Sequence, residues 1–91
     1  MISVSIVEDN QTYKQALLTY LQKANDLSVV FTGASLADIP ALIAAKPDVV
    51  IMDINLGKDS GIEGVRLVKE ALPTTQVMML TVFEEEEKIF Q

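Results

Sequence analysis

Ninety-one residues, 49% of them apolar and 22% charged, describe one small folded domain, and the net charge of −6 argues against direct nucleic-acid binding, which needs a basic face. The chain has no cysteine, which excludes disulfides, thiol nucleophiles and thiolate metal sites, and no histidine, which excludes Ser-His catalysis and imidazole-bound zinc. Any resident metal is therefore a hard cation held by oxygen: Mg²⁺, Mn²⁺ or Ca²⁺.

In chain order, Ile2 to Val7 is an apolar-rich strand that runs into Glu8-Asp9. Asn10 is a good N-cap, and the apolar stripe Tyr13, Ala16, Leu17, Tyr20, Leu21, Ala24 predicts an amphipathic helix behind it. Val29 to Phe31 reads as a second strand closed by Thr32-Gly33. A second helix turns Ile39, Leu42 and Ile43 inward. Two starts compete for it, a Ser35/Asp38 capping box and a first turn around Pro40, and Pro47 ends it by disfavouring helix at Lys46. Val49 to Met52 is apolar throughout, as a strand buried on both faces requires, and runs into Asp53. Residues 54–61 form a loop with Gly57 and Gly61. A second capping box, Ser60 with Glu63, then opens a helix with Ile62, Val65, Val68 and Leu72 inward, stopped by Pro73. Gln76 to Leu80 is the fourth strand and runs into Thr81, and Phe83 to Gln91 opens a fourth helix. The alternation predicts an α/β fold, a doubly wound parallel sheet with right-handed crossovers.

Parallel strands bring Glu8, Asp9, Asp53 and Thr81 to one carboxyl edge, where ligands bind in open α/β sheets. Gathering three carboxylates there is costly. Two like charges ~4 Å apart repel by ~4 kcal/mol at an effective dielectric of ~20. A divalent cation offsets that repulsion, and Mg²⁺ favours one or two carboxylates, several waters and often a phosphate oxygen. Any one of the four residues alone would read as a cap or turn residue. Their conjunction points to phosphoryl chemistry.

The motifs Ile6-Val7-Glu8-Asp9-Asn10, Asp48 to Leu56, Gly61-Ile62-Glu63 and Met79-Leu80-Thr81 resemble the receiver domain of two-component response regulators, over residues 1–91. The resemblance implies the flavodoxin-like topology, here with strand order 2-1-3-4. It implies that Asp53 accepts a phosphoryl group from a sensor histidine kinase. Asp9 and Asp53 would ligate Mg²⁺ directly, Glu8 through water and Asn55 by its backbone carbonyl, while Thr81 would bond the phosphoryl oxygen as the switch. Leu80 to Glu87 is similar to regulators carrying a LuxR/NarL-type DNA-binding output domain, which this chain does not include. Glu84 to Glu87 reads as a solvated first helical turn, favoured by the helix dipole.

Two departures stand out. Gly57 stands where the family usually carries proline, which implies a more mobile loop after Asp53. The family's lysine at the end of a fifth strand, with the fifth helix after it, lies beyond Gln91, and Lys58, Lys69 and Lys88 do not match it. Without those elements the Val77 to Leu80 strand is an unprotected edge and part of the Tyr13, Leu17, Leu21 face is uncovered, so the chain is expected to self-associate, with exchange of the last strand and helix as one route.

The competing enzyme reading is a haloacid-dehalogenase-like phosphatase, since Asp53-Ile54-Asn55 loosely matches that family's nucleophile motif. That motif normally sits on the first strand, and here another strand precedes it. A purely interacting pseudo-receiver conflicts with the presence of Glu8, Asp9, Asp53 and Thr81 together. The longest unbroken apolar run, Ala41 to Ala45, is too short to cross a bilayer, and the N-terminus lacks the parts of a signal peptide. A cytoplasmic protein without membrane contact is the expectation.

Overall fold

The computed structural model describes residues 1–80; Thr81 and the expected fourth helix lie outside the described residues. Strand β1 (Ile2–Val7) leads through helix α1 (Gln11–Leu21) to β2 (Leu27–Gly33). A 3₁₀ turn (Leu36–Asp38) and α2 (Ile39–Ala45) precede β3 (Val49–Asp53). The two-residue strands β4 (Asn55–Leu56) and β5 (Asp59–Ser60) then lead into α3 (Gly61–Ala71) and β6 (Gln76–Leu80).

The main sheet has the order β2-β1-β3-β6 with every pair parallel, the doubly wound order expected once β4 and β5 are set aside. Stepping from β1 to β2 and then back across to β3 and β6 reverses direction, so right-handed crossovers put α1 on one face and α2 and α3 on the other. The second face holds the apolar core, in which Val7, Val50 and Met52 meet Ile39, Leu42, Leu56 and Val68.

Both candidate starts of the second helix exist. Ser35 and Asp38 form a complete capping box on the 3₁₀ turn, and α2 follows with Pro40 in its first turn, where a missing N–H costs nothing. Lys46 then adopts φ +49° as the left-handed cap ahead of Pro47.

Several expectations need correction. Strand β2 is longer than Val29 to Phe31, because a register shift between Val4 and Ser5 admits Val30 as an extra residue and lets pairing run from Leu27 to Gly33. Residues 54–61 hold an antiparallel hairpin where an irregular loop was expected. Gly57 has φ +68° at the first of its two turn positions, the glycine-first pattern of a type II′ turn, which proline cannot adopt. The Ser60/Glu63 box is half formed: Ser60 caps Ile62 N–H, while the Glu63 carboxylate turns to Arg66. Ile62 lies outward at 65% exposure. On α1, Tyr13, Ala16 and Tyr20 are exposed, and the buried residue is Lys14.

Candidate functional site

Strands β1 and β3 are neighbours paired up to Val7 with Met52, so the residues that follow, Glu8 and Asp53, meet at the carboxyl edge. Asp9 turns in beside them, and carboxylate oxygens of Glu8, Asp9 and Asp53 all lie within 4.8 Å of one another. Glu8 and Asp53 are buried, at 1% and 3% exposure, and Asp9 is open to solvent.

Local hydrogen bonds hold the cluster. Asn10 N–H donates to Glu8 Oε2 at 2.9 Å, and Asn55 N–H donates to Asp53 Oδ1 at 3.1 Å. Asn10 also caps α1, its side-chain oxygen accepting from Tyr13 N–H at 3.0 Å. Glu8 Oε1 is buried without a hydrogen-bond partner among the described residues. Such an orphan oxygen costs free energy unless something binds it. Burial pushes the Glu8 carboxyl up to about 7; the Asn10 N–H opposes this, and the neighbouring Asp53 and Asp9 add to it.

This donor set fits a hard divalent cation. It is all oxygen, one of its oxygens lacks a partner, and positive charge would relieve both that deficit and the mutual repulsion of the carboxylates. Asn55, two residues after Asp53 and exposed, touches the cluster through its N–H on Asp53 Oδ1. Thr81 lies outside the described residues.

Sequence reasoning missed two contributors. Gly61 passes so close to Asp53 that a Cβ there would stand 1.8 Å from the Asp53 carbonyl oxygen, and its N–H bonds Ile54 O at 2.7 Å. The Gly61-Ile62-Glu63 motif carried that signal without its reason. Lys14 is the second. A lone lysine within an amphipathic pattern reads as solvated, and the pattern offers no sign of its burial.

The family model of the response regulator receiver domain matches residues 4–91. The chain belongs to this family. The receiver is 34% identical over 88 residues to the transcriptional regulatory protein LnrK of Bacillus subtilis (strain 168), covering 93% of this chain and 39% of that protein. It is 32% identical over 91 residues to the response regulator protein VraR of Staphylococcus aureus (strain NCTC 8325 / PS 47), covering 99% of this chain and 44% of that one. The chain thus spans about two-fifths of the length of these curated relatives. Among solved structures, the response regulator domain of Thermotoga maritima CheB superposes with a TM-score of 0.83 at 30% identity, over 94% of this chain and 64% of that one. A LuxR-family response regulator from Aurantimonas sp. SI85-9A1 reaches a TM-score of 0.84 at 18% identity, over 99% and 65%, a likeness of fold.

Membership in the receiver family displaces the haloacid-dehalogenase reading, and LnrK is by name a transcriptional regulatory protein. Among the described residues no helix is long and apolar enough to cross a membrane.

Proposed function

We propose that residues 1–91 form a phosphoacceptor receiver domain, with Asp53 taking a phosphoryl group from the phosphohistidine of a sensor histidine kinase and so switching an attached output domain, a DNA-binding one in a cytoplasmic transcription regulator. The observation that carries this reading is the meeting of three carboxylates within 4.8 Å at the carboxyl edge, one of them at the end of the central apolar strand.

In this reading an Asp53 carboxylate oxygen forms the new bond to phosphorus as the phosphorus–nitrogen bond breaks, and the imidazole leaves with the electron pair. Asp9 and Asp53 would hold Mg²⁺ directly, Glu8 through water and Asn55 through its carbonyl. The cation, when bound, neutralises charge on the phosphoryl oxygens. Asn55 N–H orients the Asp53 carboxylate, and burial excludes water from its flank. The Thr81 hydroxyl would donate to a phosphoryl oxygen. Positioning and charge neutralisation supply most of the catalysis in phosphoryl transfer, so the domain assists its own modification without being an enzyme for another substrate.

Incubation with acetyl phosphate and Mg²⁺ tests the reading by intact mass. A single added phosphate, lost in Asp53→Asn, is the expected result. A phosphate retained in Asp53→Asn overturns the assignment.

A further inference from the structure

Lys14 is the buried residue of α1, at 8% exposure, and the proposed phosphoryl chemistry gives it no task. Its ammonium donates to Gly33 O at 3.2 Å. Among the described residues no carboxylate lies within ion-pair distance of it, where the ion pairs join Arg66 to Glu63 and Glu70. A buried ammonium held by a neutral carbonyl is an expensive arrangement for packing alone.

The Gly33 carbonyl has a second donor, Glu8 N–H at 3.0 Å, and a carbonyl has two lone pairs to serve both. Lys14 N–H bonds Asn10 O at 2.9 Å, and Asn10 N–H bonds Glu8 Oε2 at 2.9 Å. These four bonds close a ring through Glu8, Asn10, Lys14 and Gly33 that encircles the turn bearing Asp9. Three links have backbone N–H donors, those of Glu8, Asn10 and Lys14. The fourth depends on one side chain.

We propose that Lys14 is a positioning residue: by anchoring to the Gly33 carbonyl it fixes the Glu8-Asp9 turn in the geometry that takes a divalent cation. The inference rests on the phosphoacceptor reading for the purpose of the cation, and on the ring alone for the anchoring. Outer partners of metal ligands commonly affect affinity by about 10–100-fold.

The test compares Lys14→Met, which keeps the apolar stem, with Lys14→Arg, which keeps a charged donor. Mg²⁺ affinity is read by calorimetry, and amide hydrogen exchange at Glu8 is read without Mg²⁺. Positioning predicts about tenfold weaker Mg²⁺ binding and faster Glu8 exchange in Lys14→Met, both restored by Lys14→Arg. A counter-charge role predicts the opposite sign, since removing a nearby cation tightens Mg²⁺ binding, and that result overturns the proposal. A lower melting temperature with unchanged affinity and unchanged Glu8 exchange overturns it too. If Lys14→Met fails to fold, Lys14→Gln, too short to reach Gly33, is held to the same outcomes. A wild-type chain that binds no Mg²⁺ sinks the cation reading, and the Glu8 exchange data then judge the anchoring separately.

Discussion

The two faces of the sheet are closed by different chemistry. On the α2 and α3 side, Val7, Val50 and Met52 are fully covered by Ile39, Leu42, Leu56 and Val68. On the α1 side, Val4 and Ile6 are buried in the sheet, yet the helix above them contributes Lys14 as its buried residue while Tyr13 and Tyr20 remain exposed. Met78 of β6, paired with Ile51 and so on this same face, is 60% exposed. One face supplies stability through apolar contact. The other carries the polar ring beside the acidic edge and leaves apolar surface open.

The largest expected effect separates the two faces directly. Leu42→Ala should cost about 2–5 kcal/mol in urea unfolding, because it opens a cavity in a packed core. Leu17→Ala, on the half-buried side of α1, should cost on the order of 1 kcal/mol. Equal losses would break the comparison.

A middle-sized effect comes from Glu8. Its folded pKa, near 7, exceeds the ordinary 4.5, so the stability it contributes is full below about 4.5 and is lost as pH rises through 7. Glu8→Gln should therefore stabilise the Mg²⁺-free protein at pH 8 by about 1–3 kcal/mol once solvent screening is allowed for, and leave it unchanged at pH 4. Millimolar Mg²⁺ should raise the wild-type melting temperature at pH 8 and narrow the gap between the two proteins. A gap that is the same at both pH values would remove burial of the carboxylate as its cause.

The smallest effect on stability belongs to Met78→Lys, within about 0.5 kcal/mol, since the side chain is already exposed. Its consequence should lie in association. Among the described residues β6 pairs with β3 alone, and charge on such an edge discourages strand-to-strand contact. Sedimentation at micromolar concentration should find the parent chain self-associating and the variant less so. A parent that sediments as a compact monomer removes the open face as an adhesive surface.

How much of this was legible in the sequence follows from the same division. The apolar strands and the acidic residues ending β1 and β3 were readable because burial on both faces imposes continuous apolar runs, and because carboxylates at strand ends have few structural reasons to congregate. The full length of β2 was not, since Leu27 and Ser28 mix polarity at an edge and the extra residue Val30 depends on its partner strand. The hairpin of β4 and β5 escaped because two-residue strands have no periodicity to detect. Ile62 points outward because α3 turns Gly61, Gly64 and Val68 to the core, and Ile62 stands about 100° round the helix from Gly61. Lys14 stayed hidden because its acceptor, Gly33 O, is nineteen positions away and is brought near only by the crossover.

Gly61 ties the start of α3 to the end of β3 at atomic contact, with no room for even a methyl group against the Asp53 carbonyl. The spacing between that helix and the carboxylate is therefore not an adjustable dimension of the molecule. In any collection of natural variants this position becomes a gauge: chains that abandon glycine here should be the ones that have also given up the carboxylate at the Asp53 position, because the tolerance that permits one loss is the tolerance that permits the other.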